Sequence, residues 1–263
     1  VRERLGAMEV PLEYIYFYPV DSNDTWVRDF GPITVQTDAG MKVLNFEFNA
    51  WGQKYPFDLD NQVSAKMQVL NAFPAADFES VNFVLEGGSI ETDGRGTLLT
   101  TTSCLLNKNR NPDLSKEQIE QQLKVALGVR KINWLSSGYL AGDDTDGHVD
   151  VLARICPNNT IVYTACDDEN DEHYSGLKSM EQELMAMTNA DGQSYRLLPL
   201  PWPGAKYSDN DQRLPATYAN FLVVNEAVLV PIYDSLSDED ALDVVSQAFP
   251  NYEIFGIPCL SLI

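Results

Sequence analysis

One order of segments recurs four times along the 263 residues of this chain: an apolar strand, a short polar motif, a hairpin and an amphipathic helix. Such a unit cannot bury its apolar face alone. Neighbouring copies must therefore cover one another, either around an axis or along a solenoid. Asp29, Glu86, His148 and Thr217 stand at corresponding points, roughly 60 residues apart. In a ring, corresponding positions meet at the centre, and three of these four are groups suited to a polar reaction site.

The first round runs from an expected strand at Tyr14 to Val20 through Asp24-Thr25-Trp26-Val27-Arg28-Asp29-Phe30-Gly31-Pro32. A hairpin then turns at Asp38-Ala39-Gly40, and a helical pattern around Asn61 to Ala72 stops at Pro74. The second enters from Phe83 to Leu85 through Glu86-Gly87-Gly88 and turns at Asp93 to Gly96. Its helix opens with Ser115-x-x-Gln118, a capping box, and ends at Gly128. The third turns at Pro157-Asn158-Asn159, and its helix carries Leu177, Met180, Leu184 and Met187 on one face. The fourth passes Leu214 to Asn220, turns at Asn225-Glu226 and closes with a helix from Ser237 to Phe249. Each apolar stripe is core. No linker or low-complexity stretch divides the chain, so residues 1–263 are expected to form a single α/β domain.

The third motif is Gly142-Asp143-Asp144-Thr145-Asp146-Gly147-His148-Val149-Asp150, which holds one of only two histidines. The apolar residues after it predict a strand that begins at His148. Residues two apart in a strand point the same way, so His148 and Asp150 are expected to face one space. A histidine beside carboxylates has its pKa held up, which suits general acid/base work.

Composition removes several function classes. There are 39 acidic and 18 basic residues, and a net charge of −21 disfavours nucleic acid; it is compatible with a small cationic substrate and equally with acidity that simply aids solubility. Cys104, Cys156, Cys166 and Cys259 show no C-x-x-C spacing, which argues against a structural metal site and fits reduced structural thiols in the cytoplasm. No stretch is apolar enough to span a membrane.

Asp29, Glu86, His148 and Asp150 together offer a coherent chemistry. Paired carboxylates grip a planar guanidinium through charge-assisted hydrogen bonds, and the histidine moves protons. Cleaving a guanidinium C–N bond also needs a nucleophile, most simply a thiolate. Trp26 and Trp51 could line a channel for a cationic chain.

The segments Trp26–Pro32, Leu85–Ile90, Thr97–Thr100 with Asn107–Pro112, Gly142–Asp150 and Leu214–Phe221 resemble the agmatine deiminases of the Porphyromonas-type peptidylarginine deiminase family. The resemblance runs from about Tyr14 onward. It implies a pentein fold, a five-bladed α/β propeller of ββαβ units, of which this chain would cover about four. It implies hydrolysis of agmatine to N-carbamoylputrescine and ammonia through an amidino-cysteine intermediate in putrescine synthesis, without metal or organic cofactor. Asp29 and Asp150 would grip the guanidinium, His148 would be the general acid/base and Glu86 would hold His148 and substrate. Trp26, Trp51 and Asp144 would lie along the channel and at the amine end. The family's Gly-(Ser/Asn)-(Leu/Ile)-His-Cys motif is missing here, so the nucleophilic cysteine is expected downstream of Ile263 and the chain is expected to be a segment cut at both ends. Free or peptidyl arginine is the alternative substrate, and a non-catalytic binder of cationic amines is the alternative if the protein stops at Ile263. A homo-oligomer is compatible with all of this.

Overall fold

The structure, a computed structural model, describes residues 1–263. Four three-stranded sheets follow one another along the chain, and each is a ββαβ blade. In blade one the hairpin Ile33–Thr37 and Gly40–Glu47 is followed by helix Val63–Val69 and the parallel strand Asp77–Val84. Blade two pairs Ile90–Thr92 with Thr97–Thr101, crosses through helix Lys116–Leu127 and returns as Lys131–Leu135. Blade three pairs Ala153–Cys156 with Thr160–Thr164, crosses through Tyr174–Ala186 and returns as Arg196–Leu200. Blade four uses Leu222–Val224, Ala227–Ile232, helix Asp238–Ala248 and strand Glu253–Pro258. The repeat is thus a repeat of structure, with the crossover helix supplying the connection that a parallel pair requires.

The middle strands of blades two and three, Thr97–Thr101 and Thr160–Thr164, are buried at every position. Strands covered on both faces read as near-continuous apolar or small-residue runs. Blade cores also merge. The Asp238–Ala248 helix lays Ala241, Val245 and Ala248 against Val162 and Leu200 of blade three, in one cluster with Tyr218, Phe221 and Val228. No strand pairing crosses from one blade to the next, so blades meet through side chains and motif segments.

Helix Lys116–Leu127 starts where its capping box predicts. Ser115 Oγ accepts from Gln118 N, Gln118 Oε1 accepts from Ser115 N, and Gly128 ends the helix in the left-handed region. Two expectations fail. Tyr14 to Val20 forms no strand; only a single 3-10 turn at Leu12–Tyr14 precedes it, and Tyr14 and Tyr16 stay exposed because no neighbouring strand offers them a ladder. His148 does not begin a strand either. It caps a 3-10 turn at Val149–Val151, and the strand starts only at Ala153. No helix is long and apolar enough to cross a membrane.

Candidate active site

The polar motifs that precede the hairpins of the first three blades converge. Asp29 lies in the helical turn Val27–Phe30, Glu86 caps the 3-10 turn Gly87–Ser89, and His148 and Asp150 flank the start of the Val149–Val151 turn. All four are buried. His148 Nδ1 stands 3.7 Å from Asp29 Oδ1 and 4.0 Å from Asp150 Oδ1. The 3-10 turn therefore brings the imidazole and the Asp150 carboxylate to one space, as the expected strand would have done.

Gly88 makes this convergence possible. A Cβ there would fall 2.5 Å from His148 Nδ1, 2.7 Å from Asp29 Oδ1 and 2.8 Å from Asp150 Oδ2. Its N–H donates to Asp29 Oδ1 at 2.9 Å, while the Trp51 indole N–H donates to Asp29 Oδ2 at 3.0 Å. Both bonds favour the ionised carboxylate. Burial is the largest influence on Asp29 and pushes it up, His148 opposes that, and Asp150 adds to it. Burial also works to lower His148, but the charges of Asp29 and Asp150 and the contact with Cys104 outweigh it and leave the imidazole well above its ordinary value. With two N–H donors on Asp29, the proton of this pair belongs on His148.

Two polar atoms in the cluster have no partner: Asp150 Oδ1 and His148 Nε2. Buried polar atoms without partners are costly and uncommon. Asp150 Oδ1 is thus an open acceptor 4.0 Å from His148 Nδ1, an arrangement that suits a guanidinium. The other Asp150 oxygen, Oδ2, accepts from Arg28 Nε at 2.7 Å.

The remaining expected residues are placed less centrally. Trp51 is buried in a small core with Phe30 and Phe48, and reaches the site only through its bond to Asp29. Its backbone is left-handed (φ 53°), an orientation that turns the indole inward. Trp26 is exposed and makes no polar contact with the carboxylates. Asp144 is also exposed, and its carboxylate accepts from Tyr55 OH at 2.7 Å.

Two residues have a place at the site that the sequence does not assign them: Cys104, expected only to be a structural thiol, and Arg110. Cys104 is wholly buried and lies with Glu86 and His148, their donor atoms within 4.8 Å of one another. That trio could in principle offer a metal three ligands. Tetrahedral zinc, with bonds of about 2.0–2.3 Å, needs them roughly 3.5 Å apart, and Glu86 is already committed to Arg110. The trio fits a hydrogen-bonded network better. Burial raises the Cys104 thiol, so it stays protonated. Arg110, the second residue, donates from Nε to both Glu86 oxygens at 3.0 and 3.3 Å. No local pattern announces either contact, since each joins segments far apart in sequence.

The family profile of the Porphyromonas-type peptidyl-arginine deiminases matches residues 1–263. The chain belongs to that family. It superposes on a Porphyromonas gingivalis structure, provisionally described as an arginine deiminase, with a TM-score of 0.94 and 48% identity, covering 100% of this chain and 78% of that one. A cysteine-to-serine C. jejuni agmatine deiminase with substrate bound gives a TM-score of 0.88 and 41% identity over 98% of this chain and 74% of that one. A Vibrio parahaemolyticus protein, provisionally named an agmatine deiminase, is 40% identical over 255 residues, 90% of this chain and 71% of that protein. The fold is therefore that of the deiminases, and the four blades of this family member correspond to about three quarters of those longer chains.

Proposed function

We propose that this chain carries the substrate-gripping and proton-transfer groups of an agmatine deiminase, which hydrolyses agmatine to N-carbamoylputrescine and ammonia. The observation that carries the reading is the convergence of His148 Nδ1 with the Asp29 and Asp150 carboxylates around Gly88, with Asp150 Oδ1 buried and unpartnered. The name of the substrate-bound relative supports it. In this reading Asp29 and Asp150 hold the guanidinium nitrogens, and Trp51 keeps the Asp29 carboxylate turned toward them. A thiolate adds to the guanidinium carbon. His148 gives its proton to the departing nitrogen, and ammonia leaves. The imidazole then takes a proton from water, the resulting hydroxide adds to the amidino carbon, and collapse frees the thiol and the urea product.

The thiolate is proposed to come from a cysteine that follows Ile263. The four in this chain are buried, burial holds each thiol above its ordinary value, and Cys156 is pushed to about 12. Agmatine is favoured over arginine in this reading because Asp144, exposed in the loop that leads to His148, would repel an α-carboxylate brought near it.

The test is ammonia release by the full-length reading frame from agmatine, arginine and a peptidyl-arginine. Agmatine is expected to turn over fastest, and His148→Ala to lower kcat by about a thousandfold. Faster release from arginine would overturn the substrate assignment. No release from any of the three would overturn the deiminase reading.

A further inference from the structure

The segment Asn107–Pro112 contains a fully buried arginine that the chemistry above does not use. Arg110 spends every part of its fork on two segments. Nε holds Glu86, as described, while Nη2 donates to the carbonyl of Thr145 at 2.8 Å and Nη1 donates to Asn109 Oδ1 at 2.7 Å and to the Asp146 carboxylate. The first segment ends in the Glu86 side chain, and the second is the loop that delivers His148.

We propose that Arg110 is a positioning residue: its buried guanidinium ties Glu86 to the Asp143–Gly147 loop and so fixes the place and orientation of the His148 imidazole. The proposal rests on the deiminase reading for its kinetic test, but not for its structural one.

The loop needs such a restraint. Asp146 sits at φ +68° and Gly147 at φ +88°, and a non-glycine residue in that region persists only where surroundings over-determine it. Asp146 is held by Arg110, by Lys54 Nζ at 2.8 Å and by Asn109 Nδ2 at 3.0 Å. Gly147 donates to Asp143 Oδ2 at 2.8 Å and its carbonyl accepts from Thr101 Oγ1 at 2.6 Å. His148 N then donates to Thr145 Oγ1 at 3.1 Å, one residue side chain away from the carbonyl that Arg110 grips. Two of the residues that lead into His148, Thr145 and Asp146, are thus held directly by the Arg110 fork, while Asp143 and Thr101 fix Gly147 between them. Taking a guanidinium out of water is costly, and only well-placed partners offset that cost. Arg154 is a useful contrast: it is also buried, but its fork holds Glu91 and the carbonyls of Ala219 and Phe221, remote in sequence from the His148 loop.

Three variants of the full-length protein test this: Arg110→Met, Arg110→Lys and Asp146→Asn, with Arg154→Lys as the comparison for general loss of packing. Per folded molecule, Arg110→Met is expected to lower kcat about 30-fold with KM changed by less than about twofold, as for a small misplacement of a reacting group. Lysine restores the charge but not the fork, so partial recovery is expected. Asp146→Asn keeps the shape and removes one anchor, and a smaller loss in the same direction is expected. Residues 1–263 contribute only His148 and His173, so the signals missing from a His148→Ala spectrum identify the His148 ring in ¹⁵N imidazole spectra of the full-length protein, with His173 as internal reference. The His148 ring signals are expected to move in all three variants. His148 faces Asp29, Asp150, Cys104 and Glu86, with Arg28, Arg110 and Arg154 behind the carboxylates; Arg154→Lys keeps its charge, whereas stripping Arg110 leaves the buried Glu86 charge unopposed, so the His148 titration is expected to shift upward. If Arg110→Met does not fold, Arg110→Lys and Asp146→Asn decide. Wild-type kcat and unmoved His148 signals in those two, or losses that track the folded fraction as in Arg154→Lys, would overturn the proposal. If the wild type itself releases no ammonia, the deiminase reading fails and the His148 signals alone judge Arg110.

Discussion

At residue 88 a single methyl group decides whether the site exists. The space its Cβ would take is bounded by an imidazole and two carboxylates, and its neighbour Gly87 lies against the carbonyl of Arg28. Gly88→Ala is expected to push His148 and both carboxylates apart, cutting kcat by about a hundredfold or more. The melting temperature should fall by a few degrees, from crowding in the buried site and not from backbone strain, because Gly88 is not left-handed. Unchanged kcat in Gly88→Ala would mean that the three groups need not converge there. Much of this is legible in the sequence: Asp29, Glu86 and His148 are marked by their equivalent places in the repeat, and Asp150 by its spacing from His148. Arg110 and Cys104 are not, because each gains its meaning from a partner that only the folded chain brings near, and a buried Arg–Glu pair leaves no periodic trace.

Among the elements, helices were read better than strands. Ser115-x-x-Gln118 marks the start of its helix because both halves of the capping box lie within one turn. Ser115→Ala removes an N-cap acceptor and is expected to cost about 1 kcal/mol. Measured thermal unfolding should show a drop of a few degrees while kcat per folded molecule is preserved; loss of kcat without loss of stability would contradict the assignment of this helix to scaffold. The missed strands have a common cause. Tyr14 to Val20 is aromatic enough for a strand, but strands need partners, and none lies alongside. At His148 the apolar run was real, yet the first three residues wind into a 3-10 turn that aims two side chains two residues apart at one cleft. Alternation and a tight turn can satisfy the same geometric demand, and local pattern does not separate them.

For the molecule as a whole, the repeat was the informative signal, because four copies of one unit limit the arrangements in which each apolar face finds cover. Which arrangement it takes came from the resemblance and then from the coordinates. Every blade strand finds its hydrogen-bonded neighbours inside its own blade, and the blades adhere by side chains. Fit between blade surfaces, more than the covalent links between them, is therefore expected to hold the shape. The short ribbon of Lys206–Tyr207 with Arg213–Leu214 ends in an exposed tip between blades three and four, the kind of place where chains tolerate a break. Two polypeptides divided between Asp209 and Asn210, made together, are expected to find each other and recover most of the activity of the unbroken chain. Halves that stay soluble yet fail to copurify would show that order along the chain, and not only fit between surfaces, keeps the blades in place.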